Sequence, residues 1–279
     1  MNRIVILIAA VLALVAAPLT AQTSGSFRAE YRPIMLRHLV SGEARIDPAK
    51  AYIFIRSPQG RAAGTFLKTP TPAEIADYEV ADWPSKRWTS SDRWPIEFHM
   101  LVQFGPKSFF DRTDGPNRSF TYLIEVEPGE YTYLGPMQVD INAGTFGECY
   151  CMGSVKFEAK AGQITSLGDF LSLGWANRAA LMQTTIDPAS LPDRPAAPTD
   201  WSVPESLAQY PHAKAELRAA GRRDNFFNAL VGRIPPVPGV LAYDRDKVID
   251  LIGLAEAEAR AKAALDSGSA PNDVPSAQP

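Results

Sequence analysis

Cys149, Tyr150 and Cys151 form the most specific local pattern in the chain. Two sulfurs two residues apart offer three chemistries: a disulfide, a thiolate site for a soft metal such as copper, or two buried thiols acting as small hydrophobes. In a regular strand, residues i and i+2 share a face about 6.6 to 7 Å apart. A bridge wants Cβ atoms roughly 3.5 to 4.5 Å apart, so it requires the chain to bend here. If Cys149 to Ala159 is one strand, Cys149, Cys151, Gly153, Val155 and Phe157 share the apolar face. Met152 then points away from the thiols, which counts against a copper site, and no other cysteine is present as a partner.

Trp83, Trp88 and Trp94 fall within twelve residues that also hold Lys86 and Arg87. Indole faces beside donors suit a sugar or a lipid headgroup, because rings stack on apolar faces while cations meet hydroxyls or phosphates. The commoner role of loop tryptophans is to cover the edge of a core. Asp111, Asp114 and Asn117 supply oxygens, but their spacing departs from a calcium loop and reads as a turn. His38, His99 and His212 show no partner pattern for a general base. Arg218, Arg222, Arg223 and Arg233, with Phe226 and Phe227, read either as an anion-facing patch or as ordinary helix-end and packing residues. G-x-S-x-G, H-E-x-x-H, P-loop and G-x-G-x-x-G patterns are absent from the sequence. Nothing nominates an enzyme, and no metal or cofactor is expected.

The elements that must position these residues are mainly strands. Ala51 to Arg56 is apolar on both faces, as a central strand would be, and Thr65 to Lys68 follows. Ile96 to Phe104 alternates apolar and polar, as do Phe120 to Val126 and Tyr131 to Ile141, with a Pro128-Gly129 turn between the last two. That turn reads as a hairpin, as does Lys160-Ala161-Gly162 between Cys149–Ala159 and Gln163–Leu167. Six to eight strands are expected over residues 30–175. Five prolines follow between Ile186 and Glu205, then two Ala- and Glu-rich runs, Ala213–Ala220 and Asp244–Leu265, which the composition predicts as helices. Val248, Leu251, Ile252 and Ala255 give the second a docking stripe.

The 279-residue chain opens with Arg3, an apolar run from Ile4 to Ala17, Pro18 and a small residue at Ala21. That pattern predicts a signal peptide cleaved after Ala21, too short to span a bilayer, and hence a periplasmic or secreted product. Loss of Arg3 leaves 27 basic against 31 acidic residues, a mild −4 that excludes a nucleic-acid-wrapping protein. The expected organisation is residues 1–21 leader, 22–185 β-sandwich, 186–204 Pro-rich linker, 205–266 helical extension and 267–279 disordered tail.

Glu127-Pro-Gly-Glu-Tyr131, the apolar run from Cys149 to Phe157, and Ala161 to Gly168 together resemble the transthyretin-like or carboxypeptidase-regulatory-like sandwiches of exported bacterial proteins. Lipoprotein relatives in that group carry an acylated cysteine that this chain lacks. The resemblance covers about 50 residues and implies an antiparallel Ig-like or transthyretin-like sandwich, with no catalytic residue carried over. The expected function is non-catalytic binding of an envelope component or a protein partner. The rivals are an envelope glycan or peptide hydrolase, and thiol or copper handling by the Cys-x-Cys pair.

Overall fold

The computed structural model describes residues 29–58, 61–80, 95–105, 111–112, 119–140, 144–172, 199–225 and 228–266. The fold is mainly β, with several sheets and a C-terminal helix. The first sheet contains β1 (Tyr31–Ile34), β2 (Ala51–Ser57), β6 (Phe120–Val126), β11 (Ile164–Gly168) and β12 (His212–Lys214) in the order β1-β6-β2-β11-β12, with β5 (Asp111–Arg112) also on β6. The second contains β3 (Gly64–Lys68), β4 (Leu101–Phe104), β7 (Gly129–Gly135), β10 (Ser154–Ala159) and β13 (Arg218–Ala220) in the order β13-β10-β7-β3-β4.

Alternation explains how the two sheets share a core. Ile53, Ile55, Phe120, Tyr122, Ile124 and Val126 of the first sheet bury against Phe66, Val102, Phe104, Tyr131, Tyr133 and Phe157 of the second. In this layer Phe66 meets Phe157 edge to face at 5.8 Å and stacks on Phe104 at 5.6 Å, both arrangements that ring quadrupoles allow. The alternate residues Tyr52, Phe54, Leu123 and Ile164 face outward into a second cluster. That cluster lies under α1 (Leu36–Ser41) and the short α3 (Glu205–Ala208), with Leu207 fully buried. The two-sided apolarity of Ala51 to Arg56 thus places β2 in the middle of its sheet. Between β3 and β4, α2 (Pro72–Val80) brings Glu74 to the buried Lys68, which also pairs with Glu127 at 2.8 Å.

Several expectations are corrected. Neither predicted hairpin is one: β6 and β7 belong to different sheets, as do β10 and β11, so Pro128-Gly129 and Lys160-Ala161-Gly162 carry the chain across the core. A period of two fixes which face is buried, but not which neighbour supplies the hydrogen bonds. The first sheet is mixed rather than antiparallel, because β11 runs parallel to both β2 and β12. Ile96–His99 forms a single 3-10 turn after Pro95, leaving only Leu101–Phe104 as strand. Cys149 to Ala159 is not one strand either. A third small sheet, ordered β14-β9-β8, contains β8 (Met137–Asp140), β9 (Gly144–Cys149) and β14 (Leu230–Val231), and the chain turns at 150–153 before β10.

The largest correction concerns residues 205–266, expected as a helical extension. Ala213–Ala220 is not a helix; it supplies β12 to the first sheet and β13 to the second. Its alternation decides this: Ala215 and Leu217 are buried while Lys214 and Glu216 are exposed, a period of two that outweighs the helical propensity of Ala, Glu and Leu. Asp244 does not cap a helix. It ends β15 (Leu241–Asp244), which turns through Arg245, at φ 53°, into β16 (Lys247–Asp250), and α4 begins only at Leu251 and runs to Asp266. Val248 is therefore a strand residue, and no residue of α4 is fully buried.

Candidate ligand-binding cleft

The chain passes from β12 to β13 in three residues, 215–217, so these strands form adjoining edges of the two sheets. Ala215 and Leu217 sit at that seam, 1% and 6% exposed, and floor a cleft of about 820 Å³ together with Tyr133 and Tyr150. That volume lies within the range of small-molecule sites.

One wall stands at the end of the first sheet. Gly168 closes β11 at φ 50°, and the segment from Thr199 to Ser202 packs directly over it. Asp169 N–H donates to the Asp200 carbonyl at 3.2 Å, Asp200 N–H to the Asp169 carboxylate at 2.8 Å, and Ser166 Oγ to the Trp201 carbonyl at 2.7 Å. Arg56 reaches the Asp200 carboxylate and the Ser202 carbonyl. The hydroxyl and backbone N–H of Ser202, more than Arg56, hold the Asp200 carboxyl below its usual pKa. So fixed, Trp201 stacks on Phe170 with centroids 5.8 Å apart and planes 17° apart, and the Lys214 ammonium lies 4.7 Å from the indole centroid.

The opposite wall is the extended run Ile234–Pro238 with Val240 and Ile252. It hangs on the turn that the two cysteines make. Cys149 and Cys151 are bridged, with an S–S distance of 1.92 Å and Cα atoms 5.1 Å apart, and both are buried. The strand therefore bends where the regular geometry would have kept the sulfurs apart. Around that bend Gly232 N–H donates to the Cys149 carbonyl at 2.8 Å, Met152 N–H to Gly232 at 3.0 Å, Ile234 N–H to Gly153 at 3.0 Å and Arg223 N–H to Cys151 at 2.9 Å. The Tyr243 hydroxyl donates to the Ile234 carbonyl at 2.8 Å, and burial pushes this phenol up to about 12. Tyr150, between the cysteines, meets Tyr133 edge to face at 5.8 Å on the cleft floor. Burial pushes the Tyr133 phenol well above 10. On the rim, Arg218 pairs with Glu256 of α4 at 2.5 Å.

No protein-family model, curated protein or solved structure matches the chain. The chemistry must be read from the cleft itself. Its lining among the described residues contains no His, Cys, Ser or Asp; its polar side chains are those of Thr199, Lys214, Glu216 and Arg218 and the phenols of Tyr133 and Tyr150. No cluster of three or more potential metal ligands occurs among the described residues. What the cleft offers is apolar surface, ring faces and a charged rim, which suits holding a ligand.

The sequence-predicted residues fare differently. Trp83, Trp88, Trp94, Lys86 and Arg87 lie outside the described residues, as do Asp114, Asn117, Phe226 and Phe227. Asp111 accepts the Leu36 N–H at the start of α1, at 2.5 Å. His38 lies 3.7 Å from Glu43, His212 lies 2.9 Å from the Tyr210 carbonyl, and His99 packs beside Tyr78. Of the arginines, Arg218 pairs with Glu256, while Arg233 lies over Tyr243 and donates to the Arg245 carbonyl. Trp201 and Lys214 belong to no motif in the sequence. The signal for Lys214 was the alternation of Lys214, Glu216 and Arg218 with Ala215 and Leu217. Trp201 carried none, because its meaning depends on Phe170 and Gly168.

Proposed function

We propose that this is an exported, non-catalytic β-sandwich protein, of Ig-like or transthyretin-like build, that binds a small, mainly apolar envelope component in the cleft between its two sheet edges. The observation that carries the reading is the cleft of about 820 Å³, floored by Ala215 and Leu217 and walled by Trp201 and Ile234–Pro238. Buried core residues meet half-exposed Trp201, Val237, Val240 and Ile252 here, and apolar surface left open at a fixed concavity is what a ligand with apolar body would cover. Export is supported by the apolar leader at residues 4–17 and by the Cys149–Cys151 bridge, since bridges persist in oxidising compartments. Non-catalytic binding is supported by the lining, which is mainly apolar and aromatic, with Lys214, Glu216 and Arg218 as its charged groups.

Titration with Nile red, a neutral dye that brightens in apolar surroundings, tests this reading. Saturable binding at one site per chain is expected, weakened at least tenfold by Trp201→Ala in a protein whose circular dichroism is unchanged. Absence of saturable binding, or equal affinity in the folded variant, would remove the cleft as the ligand site.

A further inference from the structure

The charges on the cleft rim are not equivalent. Arg218 is spent: Glu256 pairs with it at 2.5 Å, and Asp250 and Glu216 act on the same guanidinium. Lys214 has no acidic partner among the described residues; its ammonium lies over the Trp201 indole at 4.7 Å and its side chain is exposed. An ammonium on a ring face is attracted on one side only, so its remaining donors are open to an anion arriving from the cleft mouth. Ala215 and Leu217, the next apolar residues along the chain, are buried and line the same cleft.

Resting on the cleft being a ligand site, we infer that its ligand is a single-chain amphiphile with an anionic head, in its simplest form a fatty carboxylate, whose head meets Lys214 and whose tail lies between the sheet edges. The head remains at the wet rim, so an exposed ion pair is worth only a modest factor, and the tail supplies most of the affinity.

The test uses the full chain with Nile red bound and displaces the dye with straight-chain carboxylates of eight to twelve carbons, the matching alcohols, and a zwitterionic single-chain lipid. Affinity should rise about fourfold per added methylene, the equivalent of about 0.8 kcal/mol. The carboxylate should bind about fivefold tighter than the alcohol of equal length at low salt, with the margin shrinking in high salt. Lys214→Gln should erase that margin, Lys214→Arg should retain it, and Glu216→Gln should leave it equal or larger. Equal displacement by carboxylate and alcohol in the unaltered chain overturns the anionic head while the dye itself still reports a cleft. Tightest binding by the zwitterion, weakened by Glu216→Gln, also overturns it by assigning both rim charges to the head. Failure of the dye to bind at all sinks the cleft reading beneath both.

Discussion

Gly168→Ala is the sharpest single perturbation of the cleft wall, because the site has no room and no backbone freedom for a side chain. At φ 50° an L residue sits in the left-handed region, which costs about 1 kcal/mol. The added Cβ would collide with the Asp200 carbonyl oxygen and stand 2.7 Å from its carbon and 2.9 Å from Trp201 Cα, where ordinary contact begins at 3.4 Å. All three are backbone atoms, so no rotamer relieves the clash and the strap 199–202 must retreat. Retreat breaks the Asp169 N–H bond to the Asp200 carbonyl and the Ser166 Oγ bond to the Trp201 carbonyl, each worth about 1 kcal/mol. The expected loss is therefore about 3 kcal/mol, read as a lowered urea midpoint with the slope unchanged. Trp201 leaves Phe170 in the same step, so Nile red affinity should fall with it. Gly221→Ala is the matched control: nothing lies within 4 Å of its Cβ position and its φ is not positive, so a change within about 0.5 kcal/mol is expected. A Gly168→Ala protein as stable as the parent, with dye binding intact, would refute the placement of the strap on β11.

Removing the bridge by Cys149→Ser with Cys151→Ser, or by a dithiol reductant, should cost about 1.6 kcal/mol in closure entropy for so short a loop, read by urea denaturation with and without reductant. Hydrogen exchange should rise first at residues 149–153 and 232–234, which share that turn's hydrogen bonds; uniform exchange across both sheets would contradict the local role. Glu74 has its pKa lowered: burial opposes ionisation, but hydrogen bonds from Lys68 and from Thr71 outweigh it. A carboxyl depressed in the folded state contributes stability above its unfolded value and loses it as pH falls through the folded one, so a Glu74→Gln protein should be less stable near neutrality and show a shallower loss below pH about 4.5. Parallel acid-denaturation curves for the two proteins would count against the pairing. Burial pushes Tyr52 up to about 12, with Asp47 N–H opposing and Glu125 reinforcing the shift, so ultraviolet titration should show a tyrosine ionising two units above the free phenol that disappears in Tyr52→Phe.

The β content was legible because burial has a period in a strand. Phe120, Tyr122, Ile124 and Val126 declare their buried face, and the two-sided apolarity of Ala51 to Arg56 declares a central position. Sheet membership was not legible. Pro128-Gly129 is chemically a turn whether the chain folds back on its neighbour or crosses the core, and only the hydrogen-bond partners of β7, which are β3 and β10, tell the two apart. Lys160-Ala161-Gly162 hides its crossing in the same way. The Cys-x-Cys spacing left bridge, metal site and free thiols open, because the bend at 150–153 that lets the sulfurs meet has no local signature in the sequence.

The cleft was the least legible part because no local segment contains it. Ala213–Ala220 has the composition of a helix and the alternation of a strand, and intrinsic preference lost because each half found a sheet edge lacking a neighbour: β11 for His212–Lys214, β10 for Arg218–Ala220. Two short strands divided between two sheets instead leave a three-residue seam, whose Ala215 and Leu217 join the core and line the cleft. The Pro-rich run Ile234–Pro238 can border that seam without adding a strand, since proline offers no donor to continue a ladder. The open cleft thus follows from the strand period of 213–218 together with the missing donors of 235, 236 and 238, two features present in the sequence that acquire meaning only when the sheets bring them face to face.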